Sequence, residues 1–184
     1  CGGCGACGGC GASGGFDVFV GNVPFLGGTR ISGAMGESFR NYIANFIGVK
    51  SGGRADLAAY FFLNAYKLLG DDAIFGLLTT NTISEGDTRQ VSLETILAKS
   101  QSTIVTAYCS EKWPGKAAVI TSRVHIKKGS WFGKLVLNGE SVSHISAFLS
   151  NRDDWSLKPL AENANQTFKG SEMLGMGFCL SETA

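Results

Sequence analysis

A short apolar run, Phe16-Asp17-Val18-Phe19-Val20, stops abruptly at Gly21-Asn22, and a second run of the same kind, Ala73-Ile74-Phe75-Gly76-Leu77-Leu78, stops at Thr79-Thr80-Asn81. Runs of this length with almost no polar interruption suit strands buried on both faces, as in parallel sheets. Helical periodicity fills the interval between them. Met35, Phe39, Tyr42, Ile43, Phe46 and Ile47 form one apolar stripe, which Ser51-Gly52-Gly53 ends. A second helix is predicted from about Asp56 to Leu69, with Asp56 near its start and Gly70 just past its end. It is apolar almost all round, as befits a helix lying between a sheet and another layer. Strand, helices, strand in this order predict a parallel crossover unit.

The chain then changes character. After a polar loop at Ser84–Thr88, a helix around Val91–Lys99 leads to a strand at Thr103–Cys109. Only Trp113-Pro114-Gly115 separates that strand from the next, Lys116–Ile126. So short a connection cannot be a parallel crossover, so the two strands must be antiparallel. The predicted fold class is therefore α/β, a partial Rossmann-like sheet in which parallel strands end in an antiparallel pair. Lys134–Asn138 and Ser141–Ile145 flank Asn138-Gly139-Glu140 and are expected to form a hairpin. Asn151-Arg152-Asp153-Asp154 marks a boundary, after which the chain becomes more polar.

The net charge of +1 creates no overall positive field, which argues against a small autonomous DNA-binding module. No segment approaches the roughly 18–20 continuous apolar residues that a membrane span needs, and no secretory signal is evident. Residues 1–12 are the hexamer Cys-Gly-Gly-Cys-Gly-Ala written twice. Thiolates at this spacing could converge on zinc or an iron–sulfur cluster. Without a large side chain, however, the block cannot build a shell around a metal. It suits a GC-rich nucleotide repeat or an unstructured tail better, and no metal is expected. Cys109 and Cys179, each within an apolar run, read as small core residues. His125 and His144 are too isolated for a triad. Asp87 and Arg89 read as ordinary polar residues at a helix start, and Lys127-Lys128 as a pair that could face DNA.

In open α/β sheets, ligands bind at the carboxyl ends of strands. Asn22-Val23-Pro24-Phe25 occupies such an end, followed by Leu26-Gly27-Gly28. Methyl transfer to an exocyclic amine needs two neutral acceptors that draw the nitrogen towards tetrahedral geometry. The Asn22 side-chain oxygen and the Val23 carbonyl meet that need. Pro24 stiffens the loop, and Phe25 offers a ring on which a flipped-out base can stack. Arg30, Thr80 and Asn81 are further candidates for substrate binding. Arg30 suits either a phosphate contact or a solvated loop, and Thr80-Asn81-Thr82 suits either a cleft lining or local capping.

The segment Phe16–Phe25 resembles the "FDVVxGNPPF" strand and loop of DNA N6-adenine methyltransferases. The similarity continues through Leu26–Gly33, Ala55–Phe62, Phe75–Ile83, Gly170-Ser171 and Leu174–Phe178. The chain is thus similar, from Phe16 to its end, to the large single-chain methyltransferases of restriction–modification and phage-defence systems. The resemblance implies S-adenosyl-L-methionine as methyl donor and double-stranded DNA as partner. It also implies restriction-system subunits or a fused endonuclease as further partners, and, with no targeting signal, a cytoplasmic location. It divides the chain into the Cys/Gly segment 1–15, the C-terminal half of a catalytic domain at 16–130, and a connecting hairpin leading into a target-recognition domain at 131–184.

Two departures stand out. The family has proline where this chain has Val23. Valine keeps the carbonyl but drops one of two consecutive φ restraints, so a looser loop is expected. The family's cofactor-binding motif lies upstream of this loop, and residues 1–15 hold nothing like it. The chain therefore reads as part of a longer enzyme, inactive by itself, whose first strand here is an unpaired apolar edge. Two other functions fit the same residues. Transfer to a protein glutamine amide poses the same geometric problem at nitrogen, and a non-catalytic recognition piece of a defence complex would account for the absent motif.

Overall fold

The computed structural model describes residues 15–48, 54–99, 102–116 and 118–152. The Cys/Gly repeat, Cys179, the Ser51–Gly53 break and the expectations for residues 153–184 lie outside these. One sheet organises the described chain. Its strands are β1 (Phe16–Asn22), β2 (Leu69–Thr80), β3 (Ser102–Lys112), β4 (Ile120–Lys128), β5 (Leu135–Leu137) and β6 (Glu140–Val142). Their order across the sheet is β1-β2-β4-β3-β5-β6. β1 and β2 are parallel, whereas β4 runs antiparallel to both β2 and β3, between them. This is a partial Rossmann-like sheet of the methyltransferase kind, with the crossover and the antiparallel pair that the sequence predicts.

The helix α3 (Leu57–Leu68) covers one face of the sheet. Phe62 on α3 meets Phe75 on β2 edge to face, with ring centroids 5.7 Å apart and neither ring exposed. Leu77 extends the same face along β2, and Val124 and Ile126, the ladder partners of Leu77 and Phe75, extend it across to β4; all three are buried. Beside α3 runs a helical segment made of α4 (Gly86–Arg89), a wider turn at Gln90–Glu94 and α5 (Thr95–Leu97), which buries Val91, Leu93 and Ile96. Ile145, Ala147 and Leu149 join the same core. No helix among the described residues is long and apolar enough to cross a membrane.

Several expectations need correction. β1 is not buried on both faces. Phe16, Val18 and Val20 are 57%, 61% and 80% exposed, because the helices lie on the face that carries Phe75. β1 bonds to β2 on one side only, and its other edge is unpaired among the described residues. The expected stripe from Met35 to Ile47 is broken as well. Helix α1 (Gly28–Met35) ends at Gly36, and α2 (Glu37–Tyr42) runs into a wider turn at Ile43–Ile47, closed by Gly48 N–H donating to Ile43 O at 2.8 Å. An i→i+5 turn shifts the helical phase. Phe39, Ile43 and Ile47 face the core, while Tyr42 and Phe46 stack on each other outside it, with centroids 5.2 Å apart. Leu69 and Gly70, expected to end a helix, already belong to β2.

The hairpin forms as predicted. Asn138 and Gly139 take φ values of +52° and +88°, as a two-residue turn of this hand requires. The Asn138 side chain also accepts from Cys109 N–H at 2.8 Å and so ties the turn to β3. Cys109 is only half-buried; that burial, reinforced by the charge of Glu111, pushes its thiol pKa up. Arg89 is not an ordinary surface residue. It is 8% exposed, pairs with Glu94, and lies 3.8 Å from the centre of the Phe148 ring. Lys127 and Lys128 are held within the protein. Lys127 binds Asp72, and Lys128 donates to Leu69 O at 2.9 Å.

Candidate functional site

The parallel pairing of β1 and β2 brings their carboxyl ends together. Asn22 is the ladder partner of Leu78, and by strand alternation Thr80 lies on the same face as Leu78. Asn22 is exposed, and its side chain makes no hydrogen bond among the described residues. Val23 is 5% exposed, its side chain within the core and its N–H donating to Leu78 O at 3.1 Å. Pro24 is exposed and Phe25 is 40% exposed. The loop thus offers one amide side chain and one ring to the outside, and turns one aliphatic side chain inward.

The Val23 bond bears on the expectation of a loose loop. Proline has no N–H, so the contact to Leu78 exists because valine stands here. It extends the β1–β2 pairing by one residue and supplies a restraint where the φ restraint is lost.

Downstream of Phe25 the chain is pinned again. Leu57 N–H donates to Leu26 O at 2.9 Å, and Gly28 N–H donates to Asp56 Oδ1 at 2.9 Å. The second Asp56 oxygen, Oδ2, accepts from the Thr82 hydroxyl at 2.5 Å, and Thr82 Oγ1 lies 2.8 Å from Thr80 Oγ1. A threonine hydroxyl has one proton. With the Thr82 proton directed to Asp56, Thr80 is the donor in the Thr80–Thr82 bond, and its own lone pairs are left as acceptors. The Asp56 N–H donates to Thr88 Oγ1 at 3.0 Å. Asp56 stands at the position preceding α3, as expected, but its carboxylate makes no helix-capping bond.

Asn81 is engaged through both its amide nitrogen and its oxygen. Its amide nitrogen donates to Glu85 at 2.8 Å, and its oxygen accepts from Ser110 at 3.1 Å and Ser122 at 3.4 Å. It ties the end of β2 to β3 and β4. Arg30 is exposed in the first turn of α1, and its side chain has no partner among the described residues. The structure therefore gathers Asn22–Phe25 and Thr80 at one end of the sheet. Sequence reasoning missed Asp56 and Thr88, whose side chains reach across to that end.

A cleft of about 380 Å³ opens beside Leu78 at this end, bounded by Trp113, Pro114, Thr121 and the Glu111–Arg123 pair. Arg123 donates to Glu111 through Nε and Nη2 at 2.7 and 2.8 Å and lies 4.3 Å from the centre of the Tyr108 ring. Its hydrogen bonds hold the Glu111 carboxyl below the ordinary glutamate range. A depressed folded-state value contributes stability above the unfolded value and loses it as pH falls through the folded one. Glu111→Gln should therefore lower stability at pH 7 by less than about 1 kcal/mol, since the pair is exposed. The gap from wild type should close below about pH 4. Thermal melts of both proteins across pH check this.

A parallel strand pair with an antiparallel strand inserted beside it, and a polar loop at the shared carboxyl ends, define the α/β sheet of the methyltransferases. The chain belongs to the Eco57I restriction-modification methylase family, whose model matches residues 8–112, more than half of its length. Among solved structures it is similar to the Type IIL restriction-modification enzyme MmeI in complex with DNA, with a TM-score of 0.61 at 20% identity. That match covers 75% of this chain but 20% of the enzyme, so the chain spans about a fifth of MmeI's length. No curated protein matches the chain.

The family's motif for S-adenosyl-L-methionine, the donor that the resemblance implies, is not among the described residues. At the carboxyl ends of β1 and β2 the Asp56, Thr82 and Asn81 side chains bond to protein groups.

Proposed function

We propose that this chain carries the base-binding part of a DNA adenine methyltransferase, which transfers a methyl group from S-adenosyl-L-methionine to N6 of an adenine turned out of the duplex. The observation that carries this reading is the pinned loop. Asn22 is exposed with its oxygen unengaged, and the neighbouring Val23 is fixed by its bond to Leu78. In this reading the amine donates its two N–H hydrogen bonds to the Asn22 side-chain oxygen and the Val23 carbonyl. That removes the nitrogen lone pair from conjugation with the ring and points it at the incoming methyl group. Phe25 stacks on the base, Thr80 adds an acceptor at the rim, and Arg30 meets a phosphate. Asn81, in the same reading, shapes the cleft through its bonds to β3 and β4.

The fold shared with MmeI, described in complex with DNA, supports duplex DNA as the partner. The segment 131–184 is taken to lead from the catalytic sheet into target recognition. The test uses the protein made from the full reading frame that contains these residues. It is incubated with labelled S-adenosyl-L-methionine and mixed-sequence duplex DNA, and the nucleosides are analysed by mass spectrometry. N6-methyladenine is the expected product. Label found instead in protein glutamine would overturn the DNA assignment, and a folded protein that labels nothing would leave a recognition role.

A further inference from the structure

Asp56 lies far in sequence from every group its carboxylate touches. It sits where a helix-capping residue belongs, yet α3 gains no bond from its side chain. One oxygen holds the backbone just past Phe25, through Gly28 N–H, and the other holds Thr82. Its own N–H is taken by Thr88, so the residue is fixed from behind. Upstream, the Val23 bond to Leu78 holds the loop to β2. Between these anchors the backbone of Asn22–Phe25 has little freedom, although Asn22, Pro24 and Phe25 are exposed.

We infer that Asp56 is a positioning residue for methyl transfer. It fixes the downstream end of the Asn22–Phe25 loop through Gly28 and, through Thr82, turns the Thr80 hydroxyl so that its oxygen faces outward as an acceptor. The inference rests on the reading of Asn22 as the amine's acceptor. It does not make Asp56 a base, because both its oxygens already accept hydrogen bonds within the protein. A neutral amide would keep half of the arrangement. Asparagine offers one oxygen to Gly28 N–H, and the Thr82 hydroxyl can reverse to accept from the amide nitrogen. Alanine keeps neither bond.

The test compares Asp56→Ala, Asp56→Asn and Thr82→Val in the same full-frame protein, by hydrogen exchange over residues 22–28 and by steady-state methylation. In Asp56→Ala, exchange at the Gly28 amide should rise about tenfold or more. Turnover should fall about 100-fold while KM for DNA stays within about threefold. Asp56→Asn should recover about tenfold of that loss, a rescue that a merely structural role would not produce. Thr82→Val keeps the Gly28 bond, so it should slow turnover about tenfold with little change in exchange at Gly28. If Asp56→Ala does not fold, the turnover of Asp56→Asn and Thr82→Val decides the matter, and wild-type turnover in both overturns the inference. Loop exchange and turnover equal to wild type in the folded variants would overturn the inference. A wild-type protein that transfers no methyl group would sink the functional reading, while exchange at Gly28 would still report whether Asp56 holds the loop.

Discussion

Alanine in place of Asn22 is expected to abolish methylation and leave the protein as stable as before. The two expectations come from the same feature. Asn22 is exposed and its side chain bonds to nothing among the described residues, so its removal should change stability by no more than about 0.5 kcal/mol. In the proposed reaction its oxygen accepts a hydrogen bond from the amine as the nitrogen becomes nucleophilic. Loss of one such preorganised group costs about 100- to 1,000-fold in turnover. Product analysis beside a thermal melt separates the effects. An Asn22→Ala protein that melts like wild type and keeps more than about a tenth of its turnover would remove Asn22 from the chemistry.

The second large effect is steric. A Cβ added at Gly28 would lie 2.1 Å from the carbonyl oxygen of Arg54 and 2.3 Å from its carbonyl carbon. These are backbone atoms of the segment entering α3, so no side-chain rotation relieves the clash. Gly28→Ala should cost about 1–3 kcal/mol, which lowers the melting temperature of a domain this size by about 3–10 °C. It should also lengthen the bond to Asp56 and so reduce turnover beyond what the lost stability explains. Gly27→Ala is the control. Its added carbon would meet Asp56 Oδ1 at an ordinary 3.7 Å, and Gly27 has φ −62°, which alanine adopts freely. Equal effects at positions 27 and 28 would rule out the close approach as the cause.

The parts of the fold that sequence reasoning reached are those written in local pattern. Apolar runs marked the cores of β1 and β2, the brevity of Trp113-Pro114-Gly115 made β3 and β4 antiparallel, and Asn138-Gly139 marked the hairpin turn. Where the pattern misled, a longer-range cause was at work. The run Phe16–Val20 has the composition of a doubly buried strand, but burial needs a second layer, and the described residues put helices on one face only. The Met35–Ile47 stripe assumed a constant helical pitch, which the wide turn at Ile43–Ile47 does not keep. Arg89 is buried because Phe148, distant along the chain, lies against it.

The loop shows the same division. Its residue types were legible from chemistry alone, but its anchors were not. Asp56 reaches Gly28 and Thr82 across intervals of 28 and 26 residues, and no local spacing announces such bonds. The Val23 contact bears on an inference drawn from the sequence. A missing proline suggests slack, yet the N–H that comes with valine finds a carbonyl across the strand.

The position of β4 also governs the order in which this protein can be built. β2 and β3 are not neighbours, and β4 alone joins them, although it is the last of the three to be synthesised. A chain emerging from the ribosome can pair β1 with β2 once residue 80 is free, but β3 then has no strand beside β2 to join. Until residue 128 appears, β3 is held only by the helical segment that precedes it and by its turn to β4. β4 folds back on β3 as a local hairpin, and the sheet closes when that hairpin lays β4 against β2. Non-local strand pairing of this kind is slow compared with hairpin growth. During translation the exposed flank of β2 is open to any other extended chain nearby, which gives a chaperone at the tunnel exit a definite surface to cover.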